Sequence, residues 1–169
     1  MSKDFHSWKR IDELVKEKLV PQIDAADYDA ILAITRGGMI PACLVSELLD
    51  IRNVLTAAVM FYTDVEKTLE EPIFLQFPSD PLLVGKRVLI VDDVWDSGKT
   101  AHGVREKVRR AGGHPKVAVI HYKPTQSRFP GDGPDFYAAE TDQWIVYPWD
   151  PDRDRLLEEE GVTADKVMG

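Results

Sequence analysis

The sequence predicts an α/β fold: a doubly wound, mainly parallel sheet with helices on both faces and a small C-terminal hood. Three observations carry this expectation. The runs "DAILAIT" (29–35), "KRVLIVDDV" (86–94) and "KVAVIHY" (116–122) are continuously apolar through their centres, as strands covered on both faces must be. The first two lead through a glycine-bearing turn into a segment of helical period, the strand–turn–helix unit of parallel sheets. After the third, the chain becomes rich in Pro, Gly and aromatic residues and loses its period.

Taken in order, "SWKRIDELVKEKLVPQI" places Trp8, Ile11, Leu14, Val15 and Leu19 on one helical face, with Ser7 as N-cap. The strand 29–35 and the turn Arg36-Gly37-Gly38 precede a helix in "MIPACLVSELLDI". The single cysteine, Cys43, is expected to be a packed, inert thiol there, and it rules out an intramolecular disulfide. "NVLTAAVMFY" resumes strand character, "TDVEKTLEEP" is a polar excursion, and "PIFLQF" is a further strand. After the strand 86–94, "TAHGVREKVRRAGG" turns Ala101, Val104, Val108 and Ala111 inward and stops at Gly112-Gly113. Arg105, Lys107, Arg109 and Arg110 read as solvated cations at the negative end of that helix. The segment 123–150 is expected to be an irregular cap, followed by a short helix and tail. A single domain over 1–169 results, with its core at about 8–123, its hood at about 124–150 and its tail at 151–169.

Composition narrows the function. With 29 acidic against 21 basic residues, a net charge of -8 and no basic block, nucleic acid is not an expected partner. No apolar run approaches the roughly 18 residues of a membrane span. The start "MSKDFHSWKR" lacks the apolar centre of a signal peptide, and the lone cysteine fits a reducing cytoplasm. His6, His102, His114 and His121 show no ligand spacing, so no zinc site is expected.

Chemistry belongs at the carboxyl ends of the strands, where both unusual loops fall. In "VLIVDDVWDSGKTA" (88–101) the closing Gly-Lys-Thr suggests a Walker A loop, but the glycine that motif needs at position 93 is Asp93. A ligand carrying both a sugar and a phosphate suits the string better. Ser97, Gly98, Lys99 and Thr100 run from turn into helix, so their amides and hydroxyls converge on a phosphate. Asp92 and Asp93 accept from vicinal ribose hydroxyls and help hold Mg²⁺, directly or through water.

The same string resembles the phosphoribosyl pyrophosphate signature of the type I phosphoribosyltransferases. "HYKPTQ" and "DQWIVYPWD" resemble the purine-binding parts of the 6-oxopurine members, most similarly the xanthine-guanine enzymes. The likeness runs from "SWKRID" through "RGGMIPACLVSELLDIR" to "WIVYPWD". It implies transfer of phosphoribosyl from phosphoribosyl pyrophosphate to guanine, xanthine or hypoxanthine, giving the nucleoside monophosphate and pyrophosphate. Amides of Arg36, Gly37 and Gly38 would take the leaving pyrophosphate, in a loop where the family often has a non-proline cis peptide. Lys123 would donate to the purine O6, Trp144 would stack on the ring, and the Ile145 carbonyl would meet a 2-substituent. Asp150 would bias the site toward xanthine. Asp96 would lie near purine N7 as the catalytic residue, a proton acceptor or an orienting group as N9 attacks C1 of the ribose. An ammonium only donates, so Lys123 rewards a 6-carbonyl and penalises the 6-amino group of adenine.

The resemblance further implies a Mg²⁺-dependent cytoplasmic enzyme that forms a homodimer or homotetramer. Two alternatives stay open: a regulatory protein sensing phosphoribosyl pyrophosphate, and the same transfer to another base such as uracil. The chain departs from the pattern at loop 62–72, where Tyr62 and Lys67 would fill the tyrosine and basic places. It also departs at Trp95 and after Asp150.

Overall fold

The computed structural model describes residues 3–61 and 71–163. The expected loop residues Tyr62 and Lys67 lie outside these. The chain order is β1 (Lys3–Phe5), α1 (Trp8–Glu13), β2 (Ala30–Ile34), α2 (Met39–Leu49), β3 (Val54–Phe61), β4 (Pro72–Gln76), β5 (Arg87–Trp95), α3 (Lys99–Arg110), β6 (His114–Tyr122), β7 (Phe136–Glu140), β8 (Trp144–Val146) and α4 (Arg153–Glu159). Six strands form the main sheet in the order β4-β3-β2-β5-β6-β7. All its neighbours are parallel except β3 and β4.

Side-chain alternation along the central strands explains why their sequences are apolar without a break. Ile31, Ala33, Leu89, Val91, Ala118 and Ile120 face a layer containing Ile11, Val15, Ala42 and Val45, from the first helical segment and α2. Leu32, Ile34, Val88, Ile90, Val117 and Val119 face Ala101, Val104 and Val108 of α3. Both faces are therefore covered, as the doubly wound expectation requires.

Several expectations need correction. The helix begins as expected, with Ser7 Oγ accepting from the Arg10 N–H at 3.0 Å. It then widens into a π-helical stretch, Leu14–Leu19, and closes as a 3₁₀ turn, Val20–Gln22, that contains Pro21. Ile11, Leu14, Val15 and Leu19 are buried, but Trp8 is 56% exposed. Its ring meets Trp149 at 5.7 Å instead of the core. Cys43 is exposed rather than packed, because α2 buries the stripe Pro41, Ala42 and Val45 and leaves Cys43 off it.

Arg105 is not a solvated cation. Its side chain is 4% exposed and bonds Asp132 Oδ1 and the Gly133 carbonyl, each at 2.6 Å. It sits within the buried stripe Ala101, Val104, Val108, so packing overrode its charge and an acidic loop supplies the counter-ions. The segment expected to be irregular holds β7, which extends the main sheet beside β6. The hood is a second sheet in which β8 pairs in parallel with β1. A short helix, α4, follows Pro151 as expected.

Candidate active site

Two turns leave the sheet at the carboxyl ends of the adjacent strands β2 and β5. The first is Thr35–Gly38, whose Thr35–Arg36 peptide is cis. The second is Asp96–Gly98, ahead of α3. Glycine is required where these loops meet. A Cβ on Gly37 would run into the Asp93 carboxylate, and one on Gly38 would strike the Val91 carbonyl and the Asp92 Cα. The glycines thus set how closely the turn Thr35–Gly38 approaches the acid pair. The Gly38 N–H is already given to the Ile34 carbonyl at 2.9 Å, which leaves the amides of Arg36 and Gly37 for an anion.

Asp92 and Asp93 lie on β5 past Val91, the last residue paired with β2. The Asp93 N–H donates to Asp92 Oδ1 at 2.9 Å. Burial, and then the charge of its neighbour, push the Asp92 carboxyl well above the usual carboxylate range. Burial raises Asp93 as well, against the opposing hydrogen bonds of Asp92 and nearby backbone N–H groups. Two crowded carboxylates of this kind gain from a divalent cation. Among the described residues no group of three or more potential metal-ligating side chains occurs. The pair fits Mg²⁺, an ion that characteristically takes one or two carboxylates and completes its shell with substrate oxygens and water.

Asp92, Asp93, Asp96 and the turn Ser97–Thr100 line a cavity of about 210 Å³. Gly98 has φ of +80° and opens the 12-residue helix α3 without a side-chain cap, so first-turn amides face this space. Beneath it lies Trp95, fully buried, against which any Cβ on Gly98 would press. Its indole N–H donates to Ser127 Oγ at 3.1 Å, and the Arg128 N–H donates to the Ser97 carbonyl at 3.0 Å. Trp95 is therefore a floor for the turn rather than a surface for a base. A larger cavity, about 580 Å³, is lined by Thr35, Arg36, Gly37, Asp93, Tyr147, Trp149 and Asp150. Asp93 lines both.

Lys123 follows β6 directly and is only 7% exposed, unlike an ordinary surface lysine. Its Nζ lies 3.2 Å from Asp96 Oδ2, so the two residues expected to meet O6 and N7 of a purine are brought together. Its backbone N–H is fixed by the Trp95 carbonyl at 2.9 Å. Trp144 and Ile145 stand on β8, opposite Lys3 and Asp4 of β1. Ile145 is buried, whereas Trp144 remains 48% exposed with the Lys3 ammonium 5.6 Å from its ring centroid. Neither Trp144 nor Ile145 lines the two cavities described above.

Sequence reasoning missed Tyr147, whose hydroxyl donates to the Asp93 carbonyl at 3.0 Å and meets His121 Nδ1 at 2.9 Å. These contacts span 54 and 26 positions, so no local spacing signals them. Among the described residues no helix is long and apolar enough to cross a membrane.

Comparison with known proteins agrees with this geometry. Residues 3–155 match the model of the phosphoribosyl transferase domain. The chain is 33% identical to the xanthine-guanine phosphoribosyltransferase of Idiomarina loihiensis over 148 residues, 86% of each chain. A purine phosphoribosyltransferase from Pyrococcus horikoshii superposes with a TM-score of 0.75 at 35% identity, covering 89% of this chain and 95% of that one. A Neisseria gonorrhoeae protein with bound ppGpp superposes with a TM-score of 0.77 at 33% identity, covering 95% and 97%. With the acid pair, both strand-end loops and the match over nearly its whole length, this chain belongs to the phosphoribosyltransferase family.

Proposed function

We propose that the protein is a purine-salvage enzyme that transfers phosphoribosyl from phosphoribosyl pyrophosphate to a 6-oxopurine. The observation that carries the base class is the buried Lys123 ammonium beside Asp96. The ammonium can only donate, so it recognises the 6-carbonyl of guanine, xanthine or hypoxanthine and leaves the amino group of adenine without an acceptor. Trp144 stacks on the ring, and the Ile145 carbonyl and Asp150 meet the 2-position.

In this reading Ser97, Gly98, Lys99 and Thr100 hold the 5′-phosphate. Asp92 and Asp93 orient the ribose hydroxyls, and Arg36 and Gly37 receive the pyrophosphate, with Gly38 setting their position. N9 of the purine forms its bond to C1 of the ribose as the bond from C1 to the pyrophosphate oxygen breaks. The pyrophosphate keeps the bonding electrons. Asp96 accepts or orients the proton lost from the purine, and the Lys123 contact holds its carboxylate toward the base. The acid pair favours positive charge developing on the sugar. Mg²⁺, held by Asp92 and Asp93, would neutralise charge on the departing pyrophosphate. The single cysteine supports a cytoplasmic setting. Exposed Val54, Met60, Ile73 and Leu75 on β3 and β4 support assembly as a homodimer or homotetramer.

The test is pyrophosphate release from phosphoribosyl pyrophosphate and Mg²⁺ with guanine, xanthine, hypoxanthine, adenine or uracil supplied singly. Turnover with at least one 6-oxopurine and none with adenine is expected. Binding of phosphoribosyl pyrophosphate without turnover on any base would favour a sensor instead. A second ligand for the same site is ppGpp, which the Neisseria gonorrhoeae neighbour carries. The turn residues Arg36 and Gly37 on one cavity and Ser97 to Thr100 on the other would suit a nucleotide bearing two diphosphates. Inhibition by ppGpp that is competitive against phosphoribosyl pyrophosphate checks this.

A further inference from the structure

Past Val91, β5 is laddered on one side only, to β6 through Asp92, Val94 and Trp95, and Asp93 lines both cavities. Its N–H goes to Asp92, and its carbonyl accepts from the Tyr147 hydroxyl at 3.0 Å. Donor bookkeeping then fixes the rest of the chain of contacts. A phenol has one proton, and a carbonyl only accepts, so the proton lies toward Asp93. His121 Nδ1, 2.9 Å from the phenol oxygen, must therefore donate. Burial, with the charges of His6, Arg10 and Lys123 adding to it, keeps the His121 imidazole neutral. Its single N–H is thus committed to Nδ1. Tyr147 directly follows β8, whose Trp144 is the proposed base platform.

We propose that Tyr147, oriented by His121, is a positioning residue that joins the base-binding hood to the backbone of the acid pair. The inference rests on the transfer reaction proposed above, because it assigns a role to those acids. The phenol touches no reacting atom. It holds the Asp93 main chain so that the carboxylates meet the ribose hydroxyls of phosphoribosyl pyrophosphate.

The experiment compares wild type with Tyr147→Phe, His121→Leu, His121→Asn and the double variant Tyr147→Phe/His121→Leu. It reads steady-state kinetics, calorimetric binding of phosphoribosyl pyrophosphate with Mg²⁺, and the imidazole nitrogen shifts of His121. Tyr147→Phe is expected to lower kcat/KM for phosphoribosyl pyrophosphate about tenfold, with KM for the base within about twofold. His121→Leu should match it, His121→Asn should retain most of the activity because its amide still donates, and the double variant should be no worse than Tyr147→Phe. The wild-type ring should show the Nδ1-protonated tautomer. A Tyr147→Phe enzyme with wild-type kinetics overturns the inference, as does equal loss by His121→Leu and His121→Asn or an Nε2-protonated ring. Wild-type protein inactive on every base sinks the transfer reading alone. In that case the calorimetric affinity of Tyr147→Phe, weakened or unchanged, still decides whether Tyr147 positions Asp93.

Discussion

At the scale of single residues, the acid pair shows a conflict between stability and function. Asp92 is half-buried and set beside Asp93; desolvation and then its neighbour's charge hold its folded pKa well above the ordinary 3.8. A carboxyl raised in this way keeps its proton in the folded state after it would have ionised in the unfolded chain. Its favourable contribution is present below the unfolded value and is lost as pH rises through the folded one. Metal-free protein should therefore lose stability as pH climbs from about 4 toward neutrality. Asp92→Asn removes the ionisation while keeping an oxygen for the Asp93 N–H. The variant is expected to melt higher than wild type at pH 7 in chelator, with the gap closing toward pH 4, and to lose about 100-fold or more in activity. Melting curves across pH check this; parallel profiles for the two proteins would sink it. The role proposed for these acids is legible in the sequence because all their partners in the string are local. The spacing Asp92-Asp93, then Asp96 to Thr100, puts acids at a strand end and amides at a helix start. Tyr147 was unreadable because what it fixes is a carbonyl, which has no residue identity.

At the scale of elements, α3 carries a cost hidden by its sequence. Its four late cations looked like a complement to the helix dipole, and three of them are. Arg105 instead points into the layer between α3 and the loop before β7. There it ties Asp132, Asp135 and the Gly133 carbonyl, with its guanidinium carbon 5.2 Å from the Trp95 ring centroid. Charge predicts exposure only until a counter-charge arrives from elsewhere in the chain, here 27 residues away. The same remoteness hid β7, whose alanines and polar flanks acquire strand form from pairing with β6. Arg105→Leu should destabilise the protein by about 2–3 kcal/mol at pH 7, toward the low end for a broken buried pair because Asp132 is 38% exposed. For Asp132, burial pushes upward, but the bond and charge of Arg105, with His102 and the Gly133 N–H, hold the carboxyl below 3.8. That depressed pKa contributes stability above the unfolded value, lost as pH falls through the folded one. The cost of Arg105→Leu should accordingly shrink below about pH 4. Urea titrations at pH 7 and pH 3 read this, and an equal cost at both would refute the pairing argument.

At the scale of the whole molecule, substrate recognition is divided between two sheets. The loops proposed for phosphoribosyl pyrophosphate hang from β2 and β5 in the middle of a six-stranded sheet. The proposed base platform hangs from β8, whose sheet partner is β1, 141 positions away at Lys3 and Trp144 (144 − 3). The apolar rhythm of the core strands announced the first sheet; the second was illegible because three-residue strands are too short to show a period. A two-stranded sheet is marginal on its own, so β8 depends on β1 and on the burial of Ile145 and Val146. Removing residues 1–5 takes away the strand but leaves the His6 N–H that bonds the Val146 carbonyl at 3.0 Å. The truncated protein should still fold, since its central strands and both helical layers are untouched. Its KM for the purine is expected to rise about tenfold while its affinity for phosphoribosyl pyrophosphate changes less than about twofold. If the two affinities fall together, the hood and the phosphate loops form one mechanical unit. If only the base is lost, the molecule keeps its sugar-phosphate site on a rigid sheet and entrusts the choice of base to a small one joined from distant parts of the chain.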